Sequence, residues 1–170
     1  MRPTTITYPP NGVKPIGVME FVHGMCETRQ RYAETMKYFN NKGFICAISD
    51  IRGHGENILT KEDLGYFGEE GYKGLIDDVH EFTMFLRREF PHLPLILIGH
   101  SMGSLIVRAY LKKNSREVQA VVLSGSPSYN RFVGVAKYFT RFLALFRGWH
   151  YRSPMIEKLV NGPFEKPFEK

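Results

Sequence analysis

An uninterrupted apolar run, Leu95–Ile98, leads straight into Gly99-His100-Ser101-Met102-Gly103, and a helix-like stretch from Ser101 to about Lys113 follows. A G-x-S-x-G pattern between a strand and a helix leaves the backbone little choice. The serine must sit on a very tight turn in a strained conformation. The residues two before and two after it must be tiny, because the chain doubles back on itself there, and Gly99 and Gly103 meet that need. The free N–H groups at the start of the helix then face any negative charge developing beside Ser101. The plainer alternative is a turn in which Ser101 only caps the helix.

The rest of the body alternates in the same manner. Strands are predicted over Thr4–Tyr8, Ile16–Val22, Phe44–Ser49, Leu95–Ile98 and Val118–Leu123. Helices are predicted over Thr28–Lys42, with Tyr32, Met36 and Phe39 on one face, and over Tyr72–Phe90, with Leu75, Val79, Phe82 and Leu86 on one stripe. In the helix after Ser101, the inward positions are Leu105, Ile106, Ala109 and Tyr110. Strands this apolar are buried on both faces, so the fold class is α/β: a mostly parallel sheet with helices on both sides. Right-handed crossovers place the strands' C-terminal ends and their loops on one rim, where ligands bind in such sheets.

A chain of 170 residues supports one domain, and 43% hydrophobic with 24% charged residues excludes a disordered or disulfide-scaffold protein. Cys26 and Cys46 lack metal-ligand spacing and read as small core residues in a reducing compartment. The start of the chain carries no signal-peptide pattern, and no apolar run approaches the roughly 18 residues of a membrane span, so a cytoplasmic protein is expected. The basic charge is uneven: residues 1–126 carry 15 basic against 14 acidic residues, and residues 127–170 carry 8 against 3. That divides the chain into a body, 1–126, and a basic, aromatic tail, 127–170. The tail lacks the stacking motifs and Lys/Arg runs of a nucleic-acid binder, so no nucleic acid is expected. Residues 132–146 form an apolar arc beside a narrow stripe carrying Lys137 and Arg141, which suits peripheral contact with an anionic membrane surface as well as it suits a cap helix with solvated charges.

Two more loops fall on the same rim. His23-Gly24-Met25-Cys26-Glu27 follows the Ile16–Val22 strand. An oxyanion hole needs two converging N–H donors, one from the residue after the nucleophile, Met102, and one from such a loop, for which the Met25 amide is the candidate. An ordinary loop with His23 as a satisfied structural histidine is the alternative. Asp50-Ile51-Arg52-Gly53-His54-Gly55-Glu56-Asn57 reads as a rigid loop shaping the rim, with Asp50 pairing Arg52 or capping a turn.

These three motifs, in this order, resemble the α/β-hydrolase superfamily, and within it the monoacylglycerol lipase and lysophospholipase branch grouped with the serine aminopeptidase S33-type hydrolases. The similarity spans about residues 16–126. The resemblance implies that Ser101 is a nucleophile, that the Met25 and Met102 amides form an oxyanion hole supported by His23, Gly24 and Glu27, and that the tail begins a lid over an acyl channel. It implies no metal and no other cofactor, and the Gly-rich segments fit neither a dinucleotide nor a P-loop pattern.

In this fold the acid and the base follow the nucleophile, after later strands. The strand count stops at about the sixth, Val118–Leu123; Ser124–Asn130 holds no carboxylate, and the only histidine downstream of Ser101 is His150 in the tail. Two further strands with their crossovers need about 30 residues each. The chain therefore reads as the N-terminal part of such a hydrolase, cut within the lid, nearly inactive alone and prone to self-associate at its last strand. The leading expectation for the whole protein is a serine ester hydrolase that cleaves a small lipid ester, a monoacylglycerol or lysophospholipid, through an acyl-enzyme. The alternatives are a non-catalytic remnant that binds lipid or a partner, or a carboxylesterase or peptidase of the same fold.

Overall fold

Strand β2 (Gly17–Val22) is buried along its whole length, and its side chains alternate between two apolar layers. Val18 and Val22 point into one layer with Leu95, Leu97, Leu75, Val79, Ile106 and Tyr110. Met19 and Phe21 point into the other with Met36, Cys46 and Ile48. The period-2 pattern thus does what a strand between two helical layers requires.

The computed structural model describes residues 2–128, 133–148, 151, 153–156 and 158. The chain divides into two compact units, Met1–Ser128 and Tyr129–Lys170. The first holds β1 (Thr4–Thr7), β2, α1 (Ala33–Asn40), β3 (Phe44–Ser49), α2 (Tyr72–Glu89), β4 (Leu95–His100), α3 (Met102–Asn114) and β5 (Ala120–Ser124). The sheet order is β1-β3-β2-β4-β5, antiparallel only between β1 and β3. Helices α2 and α3 pack on one face, and α1 packs against β3 on the other. The second unit holds α4 (Val133–Arg147), where the Phe142 and Phe146 rings meet edge to face at 5.0 Å. Phe132 and His150 lie outside the described residues.

The α/β architecture is as the sequence predicts, with several local differences. The single helix predicted over Thr28–Lys42 is a short 3-10 turn, Arg29–Tyr32, followed by α1. The Asp50 carboxylate takes both the backbone N–H and the guanidinium of Arg29, and so holds the first turn out of regular helix. Arg52 does not pair with Asp50. It makes a two-pronged contact with Asp78, at 2.7 and 2.8 Å, and reaches Glu70 at 2.7 Å. Leu105 is 43% exposed, not inward; Gly103, Ile106, Val107 and Tyr110 form the buried face of α3. Cys26 is exposed and not a core residue; only Cys46 is buried. The described residues hold five strands. The last, β5, pairs with β4 alone and carries Val122 and Leu123 at 48% and 41% exposure, so it is not buried on both faces.

One buried polar residue breaks the apolar pattern of β2. Glu20 accepts a hydrogen bond from the Thr83 hydroxyl at 2.7 Å, from α2. Burial pushes its carboxyl up to about 8, against only partial opposition from that hydrogen bond. The folded state therefore holds a proton that the unfolded chain releases near 4.5, and stability should fall as pH rises from there through about 8. Urea unfolding between pH 5 and 9 is expected to show this loss, roughly a few kcal/mol, and Glu20→Gln is expected to flatten it.

Candidate active site

The parallel strands β2, β3, β4 and β5 all end on one rim, which brings the loops after them together. Ser101 stands between β4 and α3 with φ 50° and ψ −117°. A side chain in this region costs on the order of 1–3 kcal/mol and persists only where its surroundings enforce it. Three contacts enforce it here. The Ser101 N–H donates to the Ser124 carbonyl at 2.9 Å, and the Ser104 hydroxyl donates to the Ser101 carbonyl at 2.6 Å. Gly103 presses so close to β2 that an added Cβ would lie 2.1 Å from the Val22 carbonyl oxygen. At Gly99 an added Cβ would lie 2.7 Å from the Gly103 carbonyl oxygen, so both flanking glycines are required. Met102 is the first residue of α3, and its N–H has no acceptor within the helix.

The loop after β2 comes directly against this turn. A Cβ added to Gly24 would stand 3.1 Å from the Ser101 Cβ. Glu27 organises the loop: its carboxylate accepts the Gly24 N–H at 2.8 Å and the Tyr32 hydroxyl at 2.9 Å, and pairs with Arg31 at 2.9 Å. His100 Nε2 lies 3.8 Å from the same carboxylate. Burial alone would raise the Glu27 carboxyl, but these donors outweigh it and hold it below the usual carboxylate range. The same partnership pushes the Tyr32 hydroxyl up, after burial as the larger cause. Met25 is exposed in the turn between Gly24 and Cys26, and Cys26 has φ 58°.

His23 is wholly buried between the loops after β2 and β3. Its Nε2 lies 2.9 Å from the Ile51 N–H and its Nδ1 lies 2.8 Å from the Gly24 carbonyl oxygen. Burial, as the largest cause, lowers its pKa below the ordinary histidine value. Asp50 fastens the β3 loop through Arg29 and the Glu56 N–H, and His54 stacks on Phe67 at 6.3 Å with Nδ1 against the Arg52 carbonyl. That loop is thus tied at several points, through Asp50, Glu56 and His54.

All the residues singled out in the sequence (His23, Gly24, Met25, Glu27, Gly99, Ser101, Met102 and Gly103) therefore meet at one place. Asp50–Arg29, Tyr32 and the Ser104–Ser126 hydroxyl pair, at 3.0 Å, were not foreseen. Only Tyr32, five residues beyond Glu27, had a local signal. Among the described residues no cluster of His, Cys, Asp and Glu is placed to hold a metal. Of the neighbouring histidines, His23 has both ring nitrogens engaged, and Nε2 of His100 lies 3.8 Å from Glu27.

Comparison with known proteins shows the family. The family described as "Serine aminopeptidase, S33" matches residues 13–159. A monoacylglycerol lipase of Mycolicibacterium smegmatis is 34% identical over 122 residues, covering 72% of this chain and 41% of the relative. Phospholipase YtpA of Bacillus subtilis is 26% identical over 124 residues, covering 73% and 45%. A thermostable carboxyl esterase from Bacillus coagulans, solved with glycerol, superposes with a TM-score of 0.80 at 27% identity, covering 92% of this chain and 50% of that one. The chain thus spans about half the length of the relatives it matches, or somewhat less.

Gly103→Ala is expected to lower stability by about 3 kcal/mol or more, at the upper end of single-residue effects, because backbone atoms cannot yield to the new methyl. Gly134→Ala in α4, where an added Cβ meets nothing within 4 Å, is expected to be neutral or stabilising by up to about 1 kcal/mol. Denaturant titration of both variants checks the contrast.

Proposed function

The chain belongs to the serine aminopeptidase S33 family, among the lipase- and esterase-type α/β-hydrolases, and from that premise we propose that Ser101 is the nucleophile of a serine ester hydrolase acting on single-chain lipid esters such as monoacylglycerols or lysophospholipids. The observation that carries the reading is Ser101 itself, held at φ 50° between β4 and α3 with Gly24 against its side chain. Attack by its hydroxyl on an ester carbonyl would place the developing oxyanion between the Met102 N–H, at the start of α3, and the Met25 N–H. Release of the alcohol leaves an acyl-enzyme, which water then cleaves. Gly99 and Gly103 permit the turn, and His23, Gly24 and Glu27 support the loop.

The lipid preference draws on the relatives named as monoacylglycerol lipase and phospholipase. It also draws on α4, whose exposed Val135, Phe139, Phe142 and Phe146 lie beside Lys137 and Arg141. A helix of this kind suits a lid that rests on an anionic lipid surface. No helix among the described residues is long and apolar enough to cross a membrane. A carboxylesterase of the same fold is the second reading, favoured by the glycerol-bound esterase that superposes on the chain.

An unactivated serine reacts slowly, so the 170-residue chain alone should retain only the oxyanion-hole contribution, about 10³–10⁴-fold over water. Three outcomes are expected. A fluorophosphonate should label the chain slowly and only at Ser101, and Ser101→Ala should abolish labelling; equal labelling of both would remove the nucleophile assignment. Lys137→Glu with Arg141→Glu should weaken sedimentation with phosphatidylglycerol vesicles, with little change on phosphatidylcholine. The open edge of β5 should drive concentration-dependent self-association in analytical ultracentrifugation.

A further inference from the structure

Gly24 has both of its backbone polar groups engaged by side chains: its N–H donates to Glu27 at 2.8 Å, and its carbonyl lies 2.8 Å from His23 Nδ1. The second contact fixes a tautomer. The Ile51 N–H can only donate, so His23 Nε2, 2.9 Å away, is the acceptor and carries no proton. The neutral ring then bears its proton on Nδ1, which donates to the Gly24 carbonyl. That carbonyl shares one peptide unit with the Met25 N–H, and no peptide bond among the described residues is cis. In a trans peptide the C=O and N–H point in opposite directions. Holding the carbonyl on the imidazole therefore turns the Met25 N–H away from it, in a loop so close to the turn that a Cβ on Gly24 would stand 3.1 Å from the Ser101 Cβ.

The geometry points to His23 as a positioning residue that sets the orientation of the Gly24–Met25 peptide through its Nδ1–H tautomer, and so aims the Met25 N–H. The inference rests on the reading above that this N–H serves the oxyanion. Glycine makes such a lock necessary. Gly24 has no Cβ to restrict rotation, Met25 is exposed, and the following Cys26 is in the left-handed region, so little else opposes a flip of this peptide. Burial, with the edge-on His54 ring 5.4 Å away acting the same way, holds the ring's pKa below the ordinary histidine value against the opposing pull of the Gly24 carbonyl, Asp50 and Glu27. Protonation at Nε2 would remove the acceptor for Ile51 and set two donors face to face.

The test uses the 170-residue chain and two independent arms. In nuclear magnetic resonance of the 15N-labelled chain, His23 is expected to carry its proton on Nδ1 at pH 7, and the Met25 amide proton to show no Overhauser contact with the His23 ring. A ring protonated on Nε2, or an Overhauser contact between the two, overturns the inference whatever Ser101 does. The second arm is the rate of fluorophosphonate labelling at Ser101, in which the phosphoryl oxygen would occupy the same pair of amides, taken above that of Ser101→Ala. His23→Ala is expected to lower that rate ~10-fold or more, the scale of a misdirected oxyanion donor. In His23→Asn the amide Nδ2 takes the place of Nδ1 and still reaches the Gly24 carbonyl but not Ile51. That variant is expected to recover most of the rate while the Ile51 amide exchanges rapidly. An Ala variant as fast as wild type, or a folded Asn variant as slow as Ala, overturns the inference. No labelling at Ser101 in wild type sinks the nucleophile reading instead, and the resonance arm still decides the tautomer and the peptide. If His23→Ala fails to fold, the Asn variant and the resonance arm carry the decision.

Discussion

Helix α3 meets strand β2 backbone to backbone. At Gly103 there is no room for even one methyl between the helix and the Val22 and His23 carbonyls. This contact sets the depth at which α3 sits on the sheet, and thereby the position of Ser101, one turn-residue before the helix. A larger residue at Gly103 would lift the start of α3 away from β2. It would also separate the Ser101 side chain from Gly24. The close approach therefore couples core packing to the rim: the residues that make α3 a core helix, Ile106, Val107 and Tyr110, lie on the same buried face as the glycine that admits it. The strain at Ser101 is borne by the whole β2–α3–β4 unit and not by a local turn.

The loops around Ser101 are held by charge and hydrogen bonds more than by apolar area. Glu27, Asp50 and Arg52 each collect two or more partners. Lone exposed ion pairs contribute little, but carboxylates as buried as Glu27 and Asp50 cannot be left unpaired without a large desolvation cost. Such networks penalise every arrangement but one, which suits loops whose backbone amides must point in fixed directions. The same logic applies to the β3 loop, rich in glycine: Gly55 adopts φ 55° and leaves no space for a Cβ beside the Asp50 carboxylate.

What the sequence revealed follows from how far apart the interacting residues are. The turn at Ser101 is legible because its pattern falls within five consecutive residues, although the contact that requires Gly103 comes from Val22 and His23. The two-faced sheet is legible because alternation along β2 and β4 is local. The helix boundary near Arg29 is not, since its cause is a carboxylate 21 residues away. The partner of Arg52 sits 26 residues on, in α2, and the hydroxyl that satisfies Glu20 is 63 residues on. Leu105 reads as inward because helical periodicity does not say which leucine the sheet will cover, and Gly103 had already taken the closest place. Cys26 reads as core by residue type alone, whereas its left-handed turn carries it to the surface.

The acid–base states of the rim fit one purpose. Glu27 is held ionised and His23 is held neutral, and both pKa values move downward from their ordinary ranges. For the depressed histidine, the unfolded chain takes up protons that the folded chain refuses once the pH drops below about 6.5. For the depressed carboxylate, the favourable contribution is present above its unfolded value and is lost as the pH falls through the folded one. Acidification therefore takes from Ile51 the acceptor that His23 Nε2 provides, and from the Gly24 N–H the charge on its Glu27 acceptor, while the Nδ1–H of the imidazole still donates to the Gly24 carbonyl. At neutral pH neither group is near its titration, so the loop keeps one charge state and one shape. The oxyanion role proposed for the Met25 amide is better served by partners that do not themselves change charge.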